Sequence, residues 1–285
     1  MSKGNSDLSR PVLLGSGGFL GKYLRETFSD SLPISRQTLN LEAKGAGEKL
    51  GELLGENDTI FFLASIAPDK GRDTETFLKN CQMGSEVVKA MERKKPGRMI
   101  YISSDAVFCE NLPPLAENDL PCPSSLYGIM HLAREKMLVE ACIAMGVPLL
   151  IVRLCAVYGP GDTHNAYGPN RFVRSALENG IIDLFGSGEE RRPHLWISDA
   201  VRALKGFFRM GADGIIHLVP PSSVTFAEIA CEVQKLISGT QIRHLLRTNP
   251  ITHKDFSVSA DSRWLSKFDF TDLKSGLLEF SGKMR

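Results

Sequence analysis

A glycine pattern near the start of the chain constrains its fold more than any other feature. An apolar run at 12–14 leads directly into the sequence G-S-G-G-F-L-G at 15–21, and a helix is predicted to follow as far as Phe28. Glycines spaced in this way allow a tight turn, a close approach of the backbone to a pyrophosphate, and close packing of the helix on the sheet. The N-terminus of the helix offers unpaired N–H groups to the phosphates. The context of strand, turn and helix therefore predicts a dinucleotide-binding site.

Short apolar runs alternate with helical patterns through the first half of the chain. Strands are predicted at 12–14, 32–35, 60–64, 99–103 and 148–154, and long helices at 77–93 and 125–145. Strands that alternate with helices indicate parallel strands joined by right-handed crossovers. The predicted fold class is α/β, a Rossmann doubly wound parallel sheet.

The pattern changes after Tyr158. Residues 159–195 read as loop-rich, 197–210 as a helix and 215–219 as one more strand. We therefore expect a Rossmann domain at 1–158 and 196–219, and a smaller C-terminal substrate-binding lobe at 159–195 and 220–285.

The charge balance excludes some classes of partner. With 34 basic and 33 acidic residues, the net charge of +1 gives no reason to expect nucleic acid or an anionic membrane surface. Six cysteines occur without a CxxC pair, so no metal site is predicted, and free thiols indicate a reducing cytoplasm. No apolar run has transmembrane length.

The end of the second predicted strand bears on the choice of cofactor. An acidic residue about 20 positions after the first glycine is typical of NAD sites, but here Ser35 and Arg36 occupy this stretch. A guanidinium suits a 2′-phosphate, so NADP is favoured over NAD. Alternatively, Arg36 is a solvated surface arginine.

Three further segments carry chemical groups at positions expected to face a ligand. They are Y-I-S-S-D-A-V-F at 101–108, Y-G-I-M-H at 127–131, and Arg153 with V-Y-G-P-G at 157–161. Together with the glycine turn they resemble the extended short-chain dehydrogenase/reductase family, which includes nucleotide-sugar epimerases, dehydratases and 4-keto reductases. The resemblance implies that Tyr127 is the acid–base tyrosine and Ser104 the serine beside it. The cofactor residues that it implies are Gly15, Gly18, Phe19, Leu20, Gly21, Arg36, Ala64, Asn80, Tyr127 and His131.

His131 departs from the family pattern, which has lysine four residues after the tyrosine. In the family this lysine holds the nicotinamide ribose and lowers the pKa of the tyrosine by its charge. Tyr127 and His131 share one helix face, so a protonated imidazole is one possible substitute, although it is shorter and only partly charged near neutral pH. The alternatives are that the tyrosine is a poor acid, or that the chemistry has been lost.

The resemblance also suggests where a substrate binds. Arg192 matches an arginine that binds the diphosphate of the sugar nucleotide, with Pro193 in place of the usual aspartate, and Asn170 matches an asparagine directed at the same group. In the alternative interpretation, Arg191 and Arg192 are a solvated pair that balances Glu189 and Glu190. The predicted substrate-binding residues are Ser104, Asp105, Asn170, Arg171 and Arg192, with Arg263 a weaker candidate.

These features predict an enzyme of polysaccharide biosynthesis that acts on a nucleotide-diphosphate hexose. An NADPH-dependent 4-keto reductase ranks slightly above an NAD-dependent 4-epimerase. A non-catalytic dinucleotide-binding sensor or scaffold is the alternative of another class, and His131 is the feature that keeps it open. The resemblance also implies a homodimer formed through the helices at 77–93 and 125–145.

Overall fold

The computed structural model of the chain describes residues 9–111, 114–116, 119–256, 264–265 and 268–284. The chain divides into two compact units. The first comprises Met1–Val107, Pro123–Arg153 and Ala212–Ile215, and the second comprises Phe108–Cys122, Leu154–Gly211 and Ile216–Arg285. These bounds place residues 108–122 and the helix at 197–210 in the second unit, whereas the sequence analysis places both in the Rossmann domain. The assignment of cofactor and substrate to separate domains stays a prediction.

Strands and helices alternate along the first unit, as predicted. Its elements are β1 (Pro11–Leu14), α1 (Phe19–Thr27), β2 (Leu32–Ile34), α2 (Ala46–Leu53), β3 (Thr59–Phe62), α3 (Thr74–Arg93), β4 (Arg98–Ser104), α4 (Leu126–Met145) and β5 (Leu149–Leu154), with a 3₁₀ turn at Asp105–Val107. Helix α2 is missing from the sequence analysis. Its eight residues include two glycines, Gly47 and Gly51, which weaken a helical pattern.

One parallel sheet organises these elements. In the described residues the strand order is β10-β5-β4-β3-β1-β2, where β10 is Gly214–Leu218. Strand β1 pairs in parallel with β2 on one side and with β3 on the other, so the order reverses at β1. Crevices at such a reversal are where open α/β sheets bind ligands. The predicted doubly wound Rossmann fold is confirmed.

The core explains why the strands read as continuous apolar runs. All residues of β1 and β3 are buried, as expected for strands covered on both faces. Leu50 of α2, Val87 of α3 and Leu138 of α4 pack in a core cluster with Val12 and Ile60 of the sheet.

In the second unit, residues 159–195 form mainly regular secondary structure, which corrects the prediction that this stretch is loop-rich. After β6 (Ala156–Tyr158) this stretch contains α5 (Pro169–Asn179), β7 (Ile181–Phe185), β8 (Arg191–Arg192) and β9 (His194–Trp196). Pro169 is the first residue of α5, and Gly180 is its C-cap in the left-handed conformation. Gly168, Pro169 and Gly180, which suggested a loop, therefore mark the two ends of a helix.

The elements after β9 are α6 (Ile197–Met210), β10, β11 (Val224–Thr225), α7 (Phe226–Leu236), β12 (Gln241–Leu245) and α8 (Leu273–Met284). Of these, α6 and β10 agree with the helix and the strand predicted at 197–210 and 215–219. Among the described helices, none combines the length and the apolar character needed to cross a bilayer.

Candidate active site

The predicted dinucleotide turn passes from β1 directly over the end of β2. The N–H groups of Gly15 and Ser16 both donate to the Ile34 carbonyl, at 2.8 and 3.1 Å. Gly15 has a φ of +100°, and a Cβ at this position would lie 2.8 Å from the Ala64 nitrogen. A Cβ on Gly21 would collide with the Gly15 carbonyl oxygen. Both positions therefore require glycine, one for its conformation and one for close packing of α1 on the turn.

The start of α1 is open to a negatively charged ligand. Its N-cap, Gly18, provides no side-chain hydrogen bond, and the first turn contains no acidic residue. The first N–H groups of a helix have no partner inside it and carry partial positive charge. Phe19 and Leu20, the first two helical residues, are half-buried. The turn and the helix start thus form a cradle that fits a pyrophosphate.

A cavity of about 980 Å³ opens beside this turn. Its lining includes four of the predicted cofactor residues, Gly15, Gly18, Arg36 and Ala64. Cavities of this size hold small molecules and cofactors in known proteins. The ends of the first three strands, which are separate in the sequence, therefore line one space.

Arg36 lies on the rim of this cavity with an acidic partner. Its exposed guanidinium is paired with Glu42 at 3.1 Å, and Glu42 lines the same cavity. The sequence analysis missed Glu42 because it looked for an acid at the end of the second strand, and Glu42 is eight residues beyond Ile34. The rim therefore carries both charges, one that suits a 2′-phosphate and one that suits a ribose hydroxyl.

Tyr127 lies near the start of α4, and the fold holds this helix start closely. The N-cap Ser125 accepts a hydrogen bond from the Gly128 N–H at 3.1 Å, and a Cβ on Gly128 would collide with the Ala106 carbonyl. Tyr127 lines a second cavity of about 320 Å³. Burial raises the pKa of its phenol, while a hydrogen bond from Ser65 and the charge of Arg134 oppose this rise.

His131 is buried beside Tyr127 and is neutral there. The two rings meet edge to face, with centroids 4.6 Å apart. The Nδ1 atom of His131 shares a hydrogen bond of 2.7 Å with the Tyr101 hydroxyl, and Nε2 has no partner among the described residues. Burial and the charge of Arg134 hold the pKa of His131 well below its usual value. A protonated imidazole, the possible substitute for the family lysine, is therefore disfavoured at this position.

Ser104 ends β4 and Asp105 begins the 3₁₀ turn that follows, and their side chains contact each other there. The Ser104 hydroxyl accepts a hydrogen bond from the Ala106 N–H at 3.1 Å and donates to Asp105 Oδ1 at 3.3 Å. The charge of Asp105 raises the pKa of Tyr127, so this carboxylate is in electrostatic range of the phenol.

Asn80 holds the chain segment that follows β3. Its side chain accepts from the Ile66 N–H at 2.9 Å and donates to the Ile66 carbonyl at 3.1 Å. It also accepts from Arg134 at 3.2 Å. The side-chain oxygen of Asn80 and one of its amide hydrogens are thus engaged by protein atoms, and its predicted role in cofactor binding stays a prediction.

The predicted substrate residues of the second unit differ in their surroundings. Asn170 is buried, accepts from the Gly159 N–H at 2.9 Å and donates to Asp162 at 2.6 Å. Arg192 forms an ion pair with Glu110 at 2.9 Å and donates to the Thr252 carbonyl at 2.8 Å. Arg171 is exposed, and Arg263 lies outside the described residues.

The suggested charge balance around Arg191 is wrong in its partners. Arg191 pairs with Asp255 at 2.6 Å. Glu189 and Glu190 instead face Arg247, at 3.4 and 2.9 Å. These partners come from distant segments, which sequence proximity does not indicate.

Comparison with known sequences identifies relatives. The model of the NAD dependent epimerase/dehydratase family matches residues 12–217. A UDP-N-acetyl-alpha-D-glucosaminuronate decarboxylase of Bacillus cytotoxicus is 25% identical over 83% of this chain and 83% of its own length. An uncharacterised UDP-glucose epimerase, YtcB of Bacillus subtilis, is 27% identical over 68% of this chain and 70% of its own.

Comparison with solved structures shows the same fold. MoeE5 in complex with UDP-glucose and NAD has a TM-score of 0.82 at 22% identity, covering 97% of this chain and 99% of its own. The UDP-N-acetylglucosamine 4-epimerase from Methanobrevibacter ruminantium, in complex with UDP-N-acetylmuramic acid, has a TM-score of 0.84 at 20% identity, covering 97% and 98%.

Proposed function

From the premise that this chain belongs to the NAD dependent epimerase/dehydratase family, we propose that it is a nucleotide-sugar 4-epimerase. It oxidises one carbon of a nucleotide-diphosphate hexose and then reduces the same carbon with a cofactor that it retains. The observation that carries the proposal is the glycine cradle, in which Gly15 lies against Ala64 at the edge of a cavity of about 980 Å³. Two relatives, matched over 83% and 68% of this chain, are named for UDP-sugars.

The residues of the first unit fit a nicotinamide dinucleotide. The uncapped N-terminus of α1 and the turn at Gly15–Gly21 would hold the pyrophosphate. The buried Nε2 atom of His131, unpartnered among the described residues, is suited to a ribose hydroxyl. When bound, the nicotinamide accepts a hydride from the sugar carbon and returns it.

Tyr127 would move the proton of this reaction. Its phenolate takes the proton from the sugar hydroxyl as the carbon is oxidised, and the neutral phenol gives it back on reduction. A general acid or base of this kind contributes roughly 10²–10⁴ in rate. Ser104 would hydrogen-bond the same sugar oxygen after exchanging its turn contact with Asp105, which is long at 3.3 Å.

The pairing of Arg36 with Glu42 favours NAD over NADP. A 2′-phosphate on this rim would compete with Glu42 for the guanidinium and would be repelled by the carboxylate. A ribose 2′-hydroxyl has no charge to repel and would find an acceptor in Glu42. This reverses the preference drawn from Arg36 alone, and it agrees with the NAD named in the complex of MoeE5.

An NADPH-dependent 4-keto reductase is the second candidate, and Arg36 is the observation that favours it. The guanidinium is mostly exposed and lines the cofactor cavity, so a phosphate would reach it once Glu42 turns away. The third candidate is a non-catalytic sensor or scaffold. It is favoured by the turn contacts of the Ser104 hydroxyl and by the raised pKa of Tyr127.

One experiment separates the three candidates. The purified protein is incubated with a panel of UDP- and dTDP-hexoses and their 4-keto forms, and nicotinamide absorbance is followed while products are identified by NMR. Interconversion of C4 epimers with no net change in absorbance supports the epimerase. Stoichiometric loss of NADPH absorbance with a keto sugar identifies the reductase. Dinucleotide binding in calorimetry without turnover of any sugar identifies the sensor.

The remaining proposals concern diphosphate binding, the oligomeric state and the location of the protein. Arg192, Asn170 and Arg171 of the second unit are proposed to bind the diphosphate. This requires Arg192 to exchange its contact with Glu110, and the buried Asn170 amide to exchange its contact with Asp162, for phosphate oxygens. A homodimer through α3 and α4 is proposed because Leu78 and Ile143 are exposed apolar residues on these helices. A cytoplasmic location stays a prediction.

A further inference from the structure

Arg134 is a fully buried guanidinium on the same helix as Tyr127 and His131. Its side chain has no solvent exposure. Nη1 donates to the Ala64 carbonyl at 2.8 Å, and Nε donates to the Asn80 carbonyl at 2.8 Å. The guanidinium lies over the Phe62 ring, 4.8 Å from its centroid. Its donors are therefore held by backbone oxygens and its position is fixed.

The charge of Arg134 has no carboxylate partner in the described ion pairs. The neighbouring acid Glu135 is directed instead to Arg153, at 2.8 Å, and to the Ser103 hydroxyl at 2.6 Å. Burying a charge that no carboxylate balances is costly. Such a cost is typical of sites where the charge acts on a neighbouring group.

Tyr127 lies seven residues before Arg134 on α4, so the two side chains leave the same face of the helix two turns apart. Four groups act on the pKa of its phenol besides burial: Ser65 and Arg134 lower it, whereas Asp105 and Asp69 raise it. Arg134 is the cation among them. Its charge also acts on Tyr101 of β4, His131 of α4 and Cys81 of α3.

His131 does not provide the positive charge at this site. It is buried, and the same guanidinium opposes its protonation. The Tyr101 hydroxyl shares a hydrogen bond of 2.7 Å with His131 Nδ1, and the charge of Arg134 acts on both groups.

We propose that Arg134 is the positioning residue whose buried charge stabilises the phenolate form of Tyr127, while His131 supplies a ring contact to the tyrosine but no charge. The inference rests on the proposed function, because it names the group that prepares Tyr127 to accept the proton of the sugar hydroxyl. The proton passes to the phenolate oxygen, and the pair of electrons from the broken C–H bond leaves with the hydride.

A purely structural role for Arg134 predicts different behaviour. If the guanidinium only held Ala64 and Asn80 in place, its loss would lower stability and weaken dinucleotide binding without changing the ionisation of the phenol. The ionisation of Tyr127 is therefore the readout that separates the two roles.

The test is a tyrosinate absorbance titration of the ligand-free protein, which needs no turnover. Wild type, Arg134→Gln and Arg134→Lys are each compared with the same protein carrying Tyr127→Phe, so that the difference isolates Tyr127. We expect the midpoint in Arg134→Gln to lie at least about one pH unit above wild type, and Arg134→Lys to restore most of this shift. Equal midpoints in wild type and Arg134→Gln overturn the proposal.

A second measurement uses wild type alone, in case Arg134→Gln does not fold. The imidazole of His131 is followed by NMR over the range from about pH 8 to about pH 5, and its signal is assigned by its loss in His131→Gln. We expect the ring to stay neutral throughout. A midpoint near its ordinary value of about 6.5 would show that His131 itself carries charge and would overturn the division of roles. Failure of every sugar to turn over would instead refute the proposed function and leave both titrations interpretable.

Discussion

The rings of Tyr127 and His131 meet at 81° with their centroids 4.6 Å apart, so the histidine supports the tyrosine side chain by direct ring contact. This contact follows from their spacing of four residues on α4, which places them on one helix face. The proton transfer proposed for Tyr127 therefore takes place beside the neutral ring of His131. This histidine lies one helical turn before the buried Arg134.

Removing the Tyr127 hydroxyl tests the proton transfer. We expect Tyr127→Phe to lower kcat by roughly 10²–10⁴, because the sugar oxygen loses its acid and base. The dissociation constant of the dinucleotide, measured by calorimetry, should stay within about twofold of wild type, a change of less than RT. Tyr167→Phe is the matched control, since it removes a phenol hydroxyl that accepts from the Phe185 N–H of the second unit. Turnover by Tyr127→Phe at the wild-type rate would remove Tyr127 from the mechanism.

Gly15 and Gly45 form a matched pair for testing the cofactor cradle. Both have positive φ, +100° and +81°, but a Cβ on Gly15 meets Ala64 at 2.8 Å whereas a Cβ on Gly45 meets nothing within 4 Å. We expect Gly45→Ala to lose about 1 kcal/mol of unfolding free energy from backbone strain, and Gly15→Ala to lose more because its Cβ also collides with Ala64. Gly15→Ala alone should weaken dinucleotide binding, by at least about tenfold, which corresponds to about 1.4 kcal/mol. Equal affinities in the two variants would exclude the turn from the cofactor site.

The cofactor preference depends on the pair Arg36–Glu42. Glu42→Gln should raise the affinity for NADP relative to NAD by about tenfold, because it frees the guanidinium and removes a repulsive carboxylate. Arg36→Ala should change the ratio in the opposite direction. Arg25→Ala, an exposed arginine on α1, controls for the change in net charge. The measurement is the ratio of the two dissociation constants, and a ratio that stays constant across the three variants contradicts this assignment.

Because two histidines are held neutral in the folded protein, we expect its free energy of unfolding to depend on pH. Burial holds the pKa of His131 well below its usual value and lowers that of His194 to about 3. Below a pH of about 6.5 the unfolded chain binds protons that the folded chain does not, so stability falls as the pH falls. Each histidine contributes about 1.4 kcal/mol per pH unit until its folded pKa is reached.

Denaturant unfolding at about pH 7 and about pH 5 measures this loss. We expect His131→Gln and His194→Gln each to reduce the loss of stability between the two values, and the double variant to reduce it most. A loss as large in the double variant as in wild type would mean that both histidines are protonated in the folded protein.

Local patterns were enough to predict most of the first unit. The bounds of β1, β3, α3 and α4 were predicted to within three residues, because continuous apolar runs and helix-capping residues are properties of short segments. The stretch at 159–195 was misread because proline and glycine are common both in loops and at helix ends. Whether a proline or glycine lies in a loop or at a helix end depends on the hydrogen bonds that the neighbouring segments form.

The sequence by itself determined the Rossmann fold, the glycine turn, and the neighbourhood of Tyr127 and His131, since each depends on residues close together along the chain. Tertiary structure alone decided the electrostatics of the site. Arg134 lies 70 residues from Ala64, whose carbonyl its guanidinium contacts. Glu42 forms its ion pair with Arg36 because of the path that the chain takes after β2. The energy of a charge depends on its burial and on its partners in space, and neither is encoded in sequence spacing.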